Sequence, residues 1–249
     1  MILLRSVLFN LAFFGTTAAM ALAALPALAL PRRVIRRLLR LYAQIVLLLM
    51  RGILDLRVRL EGAEHIPAGP AIIASKHQSA FDTIFWLSAL PDACYVLKRE
   101  LLAIPVWGWH ARRAGMIPVD RAGGGAALRR MVRIAAQRAA EGRSIIIYPE
   151  GTRTAPGSRL PYQPGVAALA AALRLPVVPV ATNSGLFWGR RAFLKRPGTI
   201  VVRVLPPLPP GLPRDALIAR LEEAIETASA ALLPAPARPA AATPVPLRS

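Results

Sequence analysis

From residue 55 onward, short apolar runs rich in β-branched residues alternate with stretches that have helical periodicity. Some runs, such as Ser144–Tyr148, are continuously apolar, which is typical of strands buried on both faces of a sheet. Strands that alternate with helices predict an α/β domain with a mixed, largely parallel central sheet of about seven strands flanked by helices. The predicted strands are Leu56–Leu60, Ala71–Ser75, Ala93–Leu97, Gly115–Val119, Ser144–Tyr148, Val177–Ala181 and Ile200–Leu205.

Three helices are predicted in the second half of this domain. Ala126–Glu141 places its apolar residues on one face and ends at Gly142, which suits a helix C-terminus. Pro164 fits the first turn of a helix over Gly165–Arg174. Asp215 is placed to cap a last helix.

The N-terminal 54 residues have a different pattern. Ser6–Pro31 carries no charge, and residues 6–25 at about 1.5 Å each would cover a hydrocarbon core of roughly 30 Å. Arginines that follow an apolar helix mark the cytoplasmic side of a membrane. These are Arg32, Arg33, Arg36, Arg37 and Arg40. We therefore predict that 1–54 anchors the chain at the cytoplasmic face of the inner membrane, through one spanning or embedded helix and then an amphipathic basic helix.

A cleaved signal peptide is the alternative for this segment, because Arg5 and the Ala-Leu-Ala runs in 22–29 resemble its parts. The dense arginine cluster that follows would hinder export. The rest of the chain divides into an α/β domain over 55–232 and a Pro/Ala-rich tail over 233–249, which we expect to be disordered.

The charge balance narrows the choice of partners. The chain has 32 Lys and Arg against 13 Asp and Glu, a net charge of +19, and 55% hydrophobic residues. An apolar and basic chain fits an anionic membrane surface, and nucleic-acid binding is disfavoured because the arginines flank apolar segments and no nucleic-acid module is readable. Cys94 is the single cysteine, which excludes a disulfide scaffold.

The first candidate catalytic residues are His77 and Asp82. His77 follows the predicted strand Ala71–Ser75, at the strand end where α/β sheets place their sites. Asp82 comes five residues later, so the two can meet only if His77 lies in a turn and Asp82 in the first turn of the next helix. There the carboxylate would fix the tautomer of the imidazole and leave its other nitrogen as a base. Alone, this spacing is more often a structural hydrogen bond than a catalytic pair.

Three further polar blocks follow predicted strands. In Tyr148–Thr154, Gly151 permits a tight turn, Arg153 offers a bidentate fork for phosphate, and threonine hydroxyls add donors. Gly115–Arg121 places Arg121 at another strand end, and the last block is Val177–Gly185. Each block alone fits an ordinary turn. Four blocks in this order at successive strand ends are much more specific.

These blocks resemble those of the 1-acyl-glycerol-3-phosphate (lysophosphatidic acid) acyltransferases of the glycerolipid acyltransferase superfamily. The resemblance covers about residues 55–210, including Val96–Trp109. Pro118 stands where an aromatic residue is common, and Thr154 where serine is frequent. The matching blocks are His77–Asp82, Gly115–Arg121, Glu150–Arg153 and Val177–Thr182.

The resemblance implies transfer of a fatty acyl group from acyl-CoA or acyl-ACP to the sn-2 hydroxyl of lysophosphatidic acid, giving phosphatidic acid. His77 would be the general base, Asp82 its orienting partner, and Lys98 would stabilise the thioester oxyanion. Arg121 and Arg153 would hold the phosphate. Glycerol and further substrate contacts would come from Glu150, Gly151 and Thr152. The resemblance implies neither a metal nor a redox cofactor. Acyl-CoA or acyl-ACP would be a co-substrate.

Several alternatives stay open. A covalent acyl-enzyme on Ser79 or Cys94 is disfavoured because no Gly-x-Ser-x-Gly elbow is present. The acceptor could be glycerol-3-phosphate, lyso-ornithine lipid or another lysolipid. The chain could also be a non-catalytic protein that binds anionic membranes. His65 and His110 lack metal-ligand spacing, and we expect them to be structural or exposed.

Overall fold

Seven strands form one sheet in the order β1-β7-β6-β2-β5-β3-β4. They are β1 (Leu56–Glu61), β2 (Ile72–Ser75), β3 (Ala93–Lys98), β4 (Ile117–Val119), β5 (Ser144–Ile147), β6 (Val177–Thr182) and β7 (Gly198–Val204). Every neighbouring pair is parallel except β6 and β7, which are antiparallel. The predicted α/β fold with a mixed, largely parallel sheet is confirmed.

The computed structural model describes residues 1–234, so most of the predicted tail lies outside the described residues. The helices are α1 (Ile2–Ala23), α2 (Arg32–Leu54), α3 (Phe81–Ala89), α4 (Trp107–Arg113), α5 (Gly124–Ala140), α6 (Gly165–Leu173) and α7 (Arg214–Ala231). Helix α7 differs from the prediction, since Pro213 occupies the N-cap and Asp215 lies in the first turn. There its carboxylate faces the positive end of the helix dipole.

The central strands separate two hydrophobic cores. On one face Ile73, Ile146 and Val178 pack with residues of α2 and α3. On the other face Ile72 and Ile145 pack with residues of α5, α6 and α7. Successive residues of one strand therefore enter opposite cores, as the two-residue period of a strand requires. A sheet covered on both faces explains why these strands are continuously apolar.

Helix α2 packs on the α/β domain. The residues of α2 that are buried are Ile35, Ala43, Val46, Met50 and Leu54. At its N-terminal end Arg32 pairs with Glu141 and Arg36 pairs with Asp92. Arg40 donates to the carbonyl oxygen of Leu90 at 2.8 Å. The prediction assigned the apolar face of this helix to the membrane, but in the structure that face covers the sheet, and three of its arginines contact the domain.

Helix α1 is largely exposed, with only Ser6, Phe9 and Asn10 buried among its described residues. It is long and apolar enough to cross a membrane by length and composition. Near its N-terminal end Ser6 Oγ accepts from Lys195 N at 2.9 Å. Near its C-terminal end the carbonyl of Ala21 accepts from His110 Nε2 at 2.9 Å. Both ends of α1 are therefore bonded to the same domain.

Candidate active site

The structure brings His77 and Asp82 together just beyond the carboxyl end of β2. His77 lies in the turn after the strand, and Asp82 lies in the first turn of α3. His77 Nδ1 is 3.0 Å from Asp82 Oδ2. Since a carboxylate can only accept, Nδ1 is the donor and Nε2 keeps its lone pair. The side chain of His77 is 14% exposed and lines a large cavity.

Asp82 is held by donors on both carboxylate oxygens. Besides His77, Oδ2 accepts from the backbone N–H groups of Gln78 at 2.7 Å and Ser79 at 2.8 Å. Oδ1 accepts from Ser184 Oγ at 2.6 Å. The Asp82 side chain is 2% exposed, so these contacts replace its hydration. Because this carboxylate is held in place, it also fixes the orientation of the His77 imidazole that it contacts.

Tyr148 covers one face of the His77 ring. The two rings are stacked, with centroids 3.9 Å apart and planes 18° apart. Burial raises the pKa of Tyr148 well above its ordinary value, so the phenol is neutral when the imidazole is protonated. An electron-rich aromatic face stabilises a cation placed on it. Sequence analysis made no catalytic prediction for Tyr148, although an aromatic residue at the end of a strand, two residues before Glu150, is a usable signal.

Glu150, which the resemblance places at the glycerol pocket, lines the cavity, and its carboxylate also bonds to the backbone of His77. Oε2 accepts from the backbone N–H of His77 at 2.9 Å, and Oε1 accepts from Thr154 Oγ1 at 2.9 Å. Lys76 Nζ lies 2.8 Å from Oε1, and the Glu150 side chain has no exposed surface. Thr154 N also donates to the His77 carbonyl at 2.8 Å. Glu150 and Thr154 therefore hold the backbone of His77 on both sides of its Cα.

The other predicted binding residues lie around the same cavity. Gly151 has a φ of +69° in the turn that follows Glu150, which explains the glycine there. Thr152 and Arg153 follow it in the cavity lining. Arg121, beyond β4, and Lys98, at the end of β3, also line the cavity. The Lys98 side chain is 48% exposed, and its ammonium lies 3.8 Å from the Glu100 carboxylate.

The cavity has a volume of about 1180 Å³ and two chemically distinct ends. Its polar end lies at the carboxyl ends of the strands, around His77, Arg121 and Arg153. Its apolar end lies between the two N-terminal helices and the sheet. The apolar end is lined by residues of α1 and α2, which are Phe13, Phe14, Thr17, Met20, Ala21, Ala24, Ile35, Leu38, Leu39 and Tyr42. A ligand with a phosphate and a long apolar chain matches both ends.

Comparison with known sequences decides the family. The acyltransferase family matches residues 57–183, which is the segment that carries His77, Asp82 and the Glu150–Arg153 turn. A 1-acyl-sn-glycerol-3-phosphate acyltransferase of Pseudomonas aeruginosa is 37% identical over 158 residues, which cover 64% of this chain and 62% of that protein. The alpha form of Homo sapiens is 33% identical over 205 residues, which cover 81% of this chain and 72% of that protein.

The chain belongs to the 1-acyl-sn-glycerol-3-phosphate acyltransferase family. Its fold is also that of a solved structure, the crystal structure of the 1-acyl-sn-glycerophosphate (LPA) acyltransferase PlsC from Thermotoga maritima. The two share 22% identity and a TM-score of 0.76, over 93% of this chain and 98% of that chain.

The two groups considered for a covalent mechanism in this acyltransferase are buried. Ser79 has no exposed surface, and its Oγ accepts from the backbone N–H of Phe81 at 3.1 Å. Burial raises the pKa of the Cys94 thiol to about 11, so that it stays protonated near neutral pH. His65 and His110 each contact a backbone carbonyl oxygen, at 3.1 Å and 2.9 Å respectively, as expected of structural histidines.

Proposed function

We propose that this protein moves a fatty acyl group from an acyl thioester to the sn-2 hydroxyl of lysophosphatidic acid, giving phosphatidic acid and a free thiol. The observation that carries the proposal is the position of His77. The oriented imidazole lies where an arginine-lined end of the cavity meets an apolar end. The names of the relatives, from bacterial and mammalian sources, support the same substrate.

In the proposed mechanism His77 Nε2 accepts the proton of the sn-2 hydroxyl as its oxygen attacks the thioester carbon. The C–S bond of the resulting tetrahedral intermediate then breaks, and the imidazolium returns its proton to the thiolate. Asp82 stabilises the imidazolium, and the stacked Tyr148 ring lies against the same cation. General-base help of this kind contributes about 10²- to 10⁴-fold in rate.

The cationic side chains of the polar end have separate proposed tasks. Arg121 and Arg153 hold the acceptor phosphate, because a guanidinium can donate two parallel hydrogen bonds to phosphate oxygens. Thr152 adds a hydroxyl donor, and Gly151 lets the backbone approach the glycerol. Lys98 stabilises the oxyanion that forms on the thioester carbonyl, a charge-assisted contact.

Direct transfer is proposed because neither of the two nucleophiles considered for a covalent step is among the residues that line the cavity beside His77. Ser79 and Cys94 are both buried, and Ser79 is bonded to the α3 N-terminus. The attacking group is then the acceptor hydroxyl itself. The apolar end of the cavity holds an acyl chain during the reaction.

Purified protein in detergent tests the proposal with a panel of acceptors and two donors. The acceptors are lysophosphatidic acid, glycerol-3-phosphate, lysophosphatidylcholine and lyso-ornithine lipid, each offered with acyl-CoA and with acyl-ACP. We expect phosphatidic acid as the main product with at least one donor. Transfer only to an acceptor without a phosphate monoester would contradict the assignment of Arg121 and Arg153. The absence of transfer to any acceptor would favour the non-catalytic alternative.

We further propose that the protein lies in the cytoplasmic leaflet of the inner membrane, with α1 along the membrane and not across it. The 22 residues of α1 extend for about 33 Å. A helix bonded to one domain through both Ser6 and Ala21 would carry that domain into the hydrocarbon if it spanned the bilayer. Exposed apolar side chains also lie on two segments bonded to α1, which are helix α4 and the loop before Lys195. They are Trp107, Trp109, Phe193 and Leu194.

Cysteine labelling distinguishes the two orientations of α1. In a Cys94→Ala background, single cysteines replace Arg5 and Leu30, and a membrane-impermeant maleimide is added to sealed inside-out vesicles. We expect both positions to label from the cytoplasmic side. Labelling of the Arg5 position only after the vesicles are opened would mean that α1 spans the membrane.

A further inference from the structure

A buried lysine lies directly behind the candidate catalytic histidine. The Lys76 side chain is 1% exposed, and its ammonium lies on the side of the sheet that is packed against α7. Its Nζ donates to the two carboxylate oxygens of Glu226 at 2.6 and 2.8 Å and to the carbonyl oxygen of Ser158 at 3.1 Å. It also lies 2.8 Å from Oε1 of Glu150. Every proton of the ammonium thus has an acceptor.

Glu226 anchors this ammonium from the far end of the sequence. It belongs to α7, is 5% exposed, and also accepts from the hydroxyl of Tyr162 at 2.9 Å. Burial and the Glu226 charge raise the pKa of Tyr162, so the phenol stays a donor. The result is a closed network in which each buried charge faces a partner, and such networks hold a single geometry.

The network ends on the backbone of His77. Glu150 joins the Lys76 ammonium, through Oε1, to the His77 N–H, through Oε2. Lys76 is also the residue before His77 in the chain, and its own N–H donates to the carbonyl of Val180 at 2.9 Å. The position of His77 therefore depends on Lys76 both through the chain and through the Glu150 carboxylate.

We propose that Lys76 and Glu226 are positioning residues, which set the approach of His77 to the acceptor hydroxyl from behind the cavity wall. The inference rests on the proposed acyl transfer. A buried ion pair is often no more stabilising than apolar residues of the same volume, so stability alone does not explain two carboxylates around one ammonium. Reacting groups displaced by about 1 Å can lose about 100-fold in rate, so a small shift of the His77 backbone has a large effect.

Steady-state kinetics of Glu226→Leu against Glu226→Gln test the proposal. The full-length enzyme is used with the best acceptor and donor of the panel. We expect Glu226→Leu to lower kcat about 10- to 100-fold per folded molecule, with both KM values within about twofold because no substrate contact is removed. Glu226→Gln keeps an oxygen acceptor for Lys76 and Tyr162, and we expect it to recover most of the lost kcat. A wild-type kcat in Glu226→Leu, or a rise in KM in place of the fall in kcat, would overturn the proposal.

Two further variants separate positioning from folding. Leu221→Ala removes a fully buried side chain from the same helix. We expect it to lower Tm at least as much as Glu226→Gln does while its kcat per folded molecule is unchanged. The double variant Lys76→Met with Glu226→Leu removes both charges together, so it remains measurable if Glu226→Leu does not fold. We expect it to be folded with low kcat, and wild-type kcat in this variant would show that the network serves stability alone. If the wild-type chain itself transfers no acyl group, it is the proposed function that fails.

Discussion

The two ends of the cavity are built in different ways. At the polar end the His77 imidazole is fixed by a directional contact with a buried partner, Asp82, which itself accepts from four donors. At the apolar end the walls are side chains of α1 and α2 that contact the cavity by shape alone. Hydrogen bonds specify position to a fraction of an ångström, whereas apolar contacts specify volume. We therefore expect the chemistry to depend on the carboxyl ends of the strands, and the selection of the acyl chain to depend on the faces of α1 and α2 that line the cavity.

The largest expected effect lies at the polar end. His77→Ala should lower kcat at least about 100-fold, because it removes the base and little packing. Activity is measured on protein shown to be folded by circular dichroism. The matched control is His65→Ala, which removes a half-buried histidine whose ring contacts only the Val204 carbonyl and should keep normal kcat. If His77→Ala retained more than about a tenth of wild-type kcat, the base assignment would be wrong.

A smaller and more selective effect is expected for the phosphate contact. Arg153→Ala should raise the KM for lysophosphatidic acid about 10- to 100-fold, because it removes a charge-assisted contact with the acceptor phosphate. The KM of the donor should be unchanged. Arg159→Ala, on the same loop and exposed, is the control. A rise in the KM of the donor instead would place Arg153 at the thioester substrate.

A change at the apolar end should alter selection and leave the chemistry intact. Ala21→Trp places an indole in the cavity, so we expect several-fold lower kcat/KM with long-chain donors and near-normal values with short-chain donors. Ala19→Trp on the exposed side of the same helix should change neither. Donors of different length are compared in parallel. An equal loss for every chain length would mean that the two ends of the cavity are not independent.

The last expected effect is on membrane binding and stability, and it concerns the arginines of α2, which fall into two classes. Arg33 and Arg37 are exposed, whereas Arg32 and Arg36 pair with acidic residues of the domain. Replacing Arg33 and Arg37 by Gln should weaken binding to anionic vesicles by about 1 kcal/mol per residue, and only at low salt. Replacing Arg32 and Arg36 by Gln should lower Tm instead. Vesicle co-sedimentation and thermal denaturation measure the two effects, and identical results for both pairs would contradict the division.

The difference between the two ends of the cavity also explains which features could be predicted from the sequence. The strands depend on local apolar runs, which predicted them, and the spacing of His77 and Asp82 showed the one local arrangement in which the two could meet. The partners that fix these residues come from far along the chain, since Ser184 is 102 residues from Asp82 and Glu226 is 150 residues from Lys76. No spacing rule predicts such contacts. The apolar face of α2 was assigned to lipid because lipid and a protein core select the same residues.

Glu150 illustrates a different limit. The Glu150–Arg153 block predicted a substrate contact for it, but a motif does not say what a side chain bonds to within the protein. In the structure its carboxylate accepts from the His77 N–H and from Thr154, and the side chain has no exposed surface. The Lys76 ammonium offsets the free-energy cost of burying this carboxylate.

The central claim is that His77 activates the acceptor hydroxyl for direct transfer, and a single-turnover rapid-quench experiment tests it most directly. Enzyme in excess over a radiolabelled acyl thioester is mixed with lysophosphatidic acid, and the label in protein, donor and phosphatidic acid is followed over time. We predict that label passes from donor to phosphatidic acid at the rate of thiol release, with none bound to protein, and that His77→Ala slows both together. Label that appears on the protein before phosphatidic acid forms, at Ser79 or Cys94, would contradict the account.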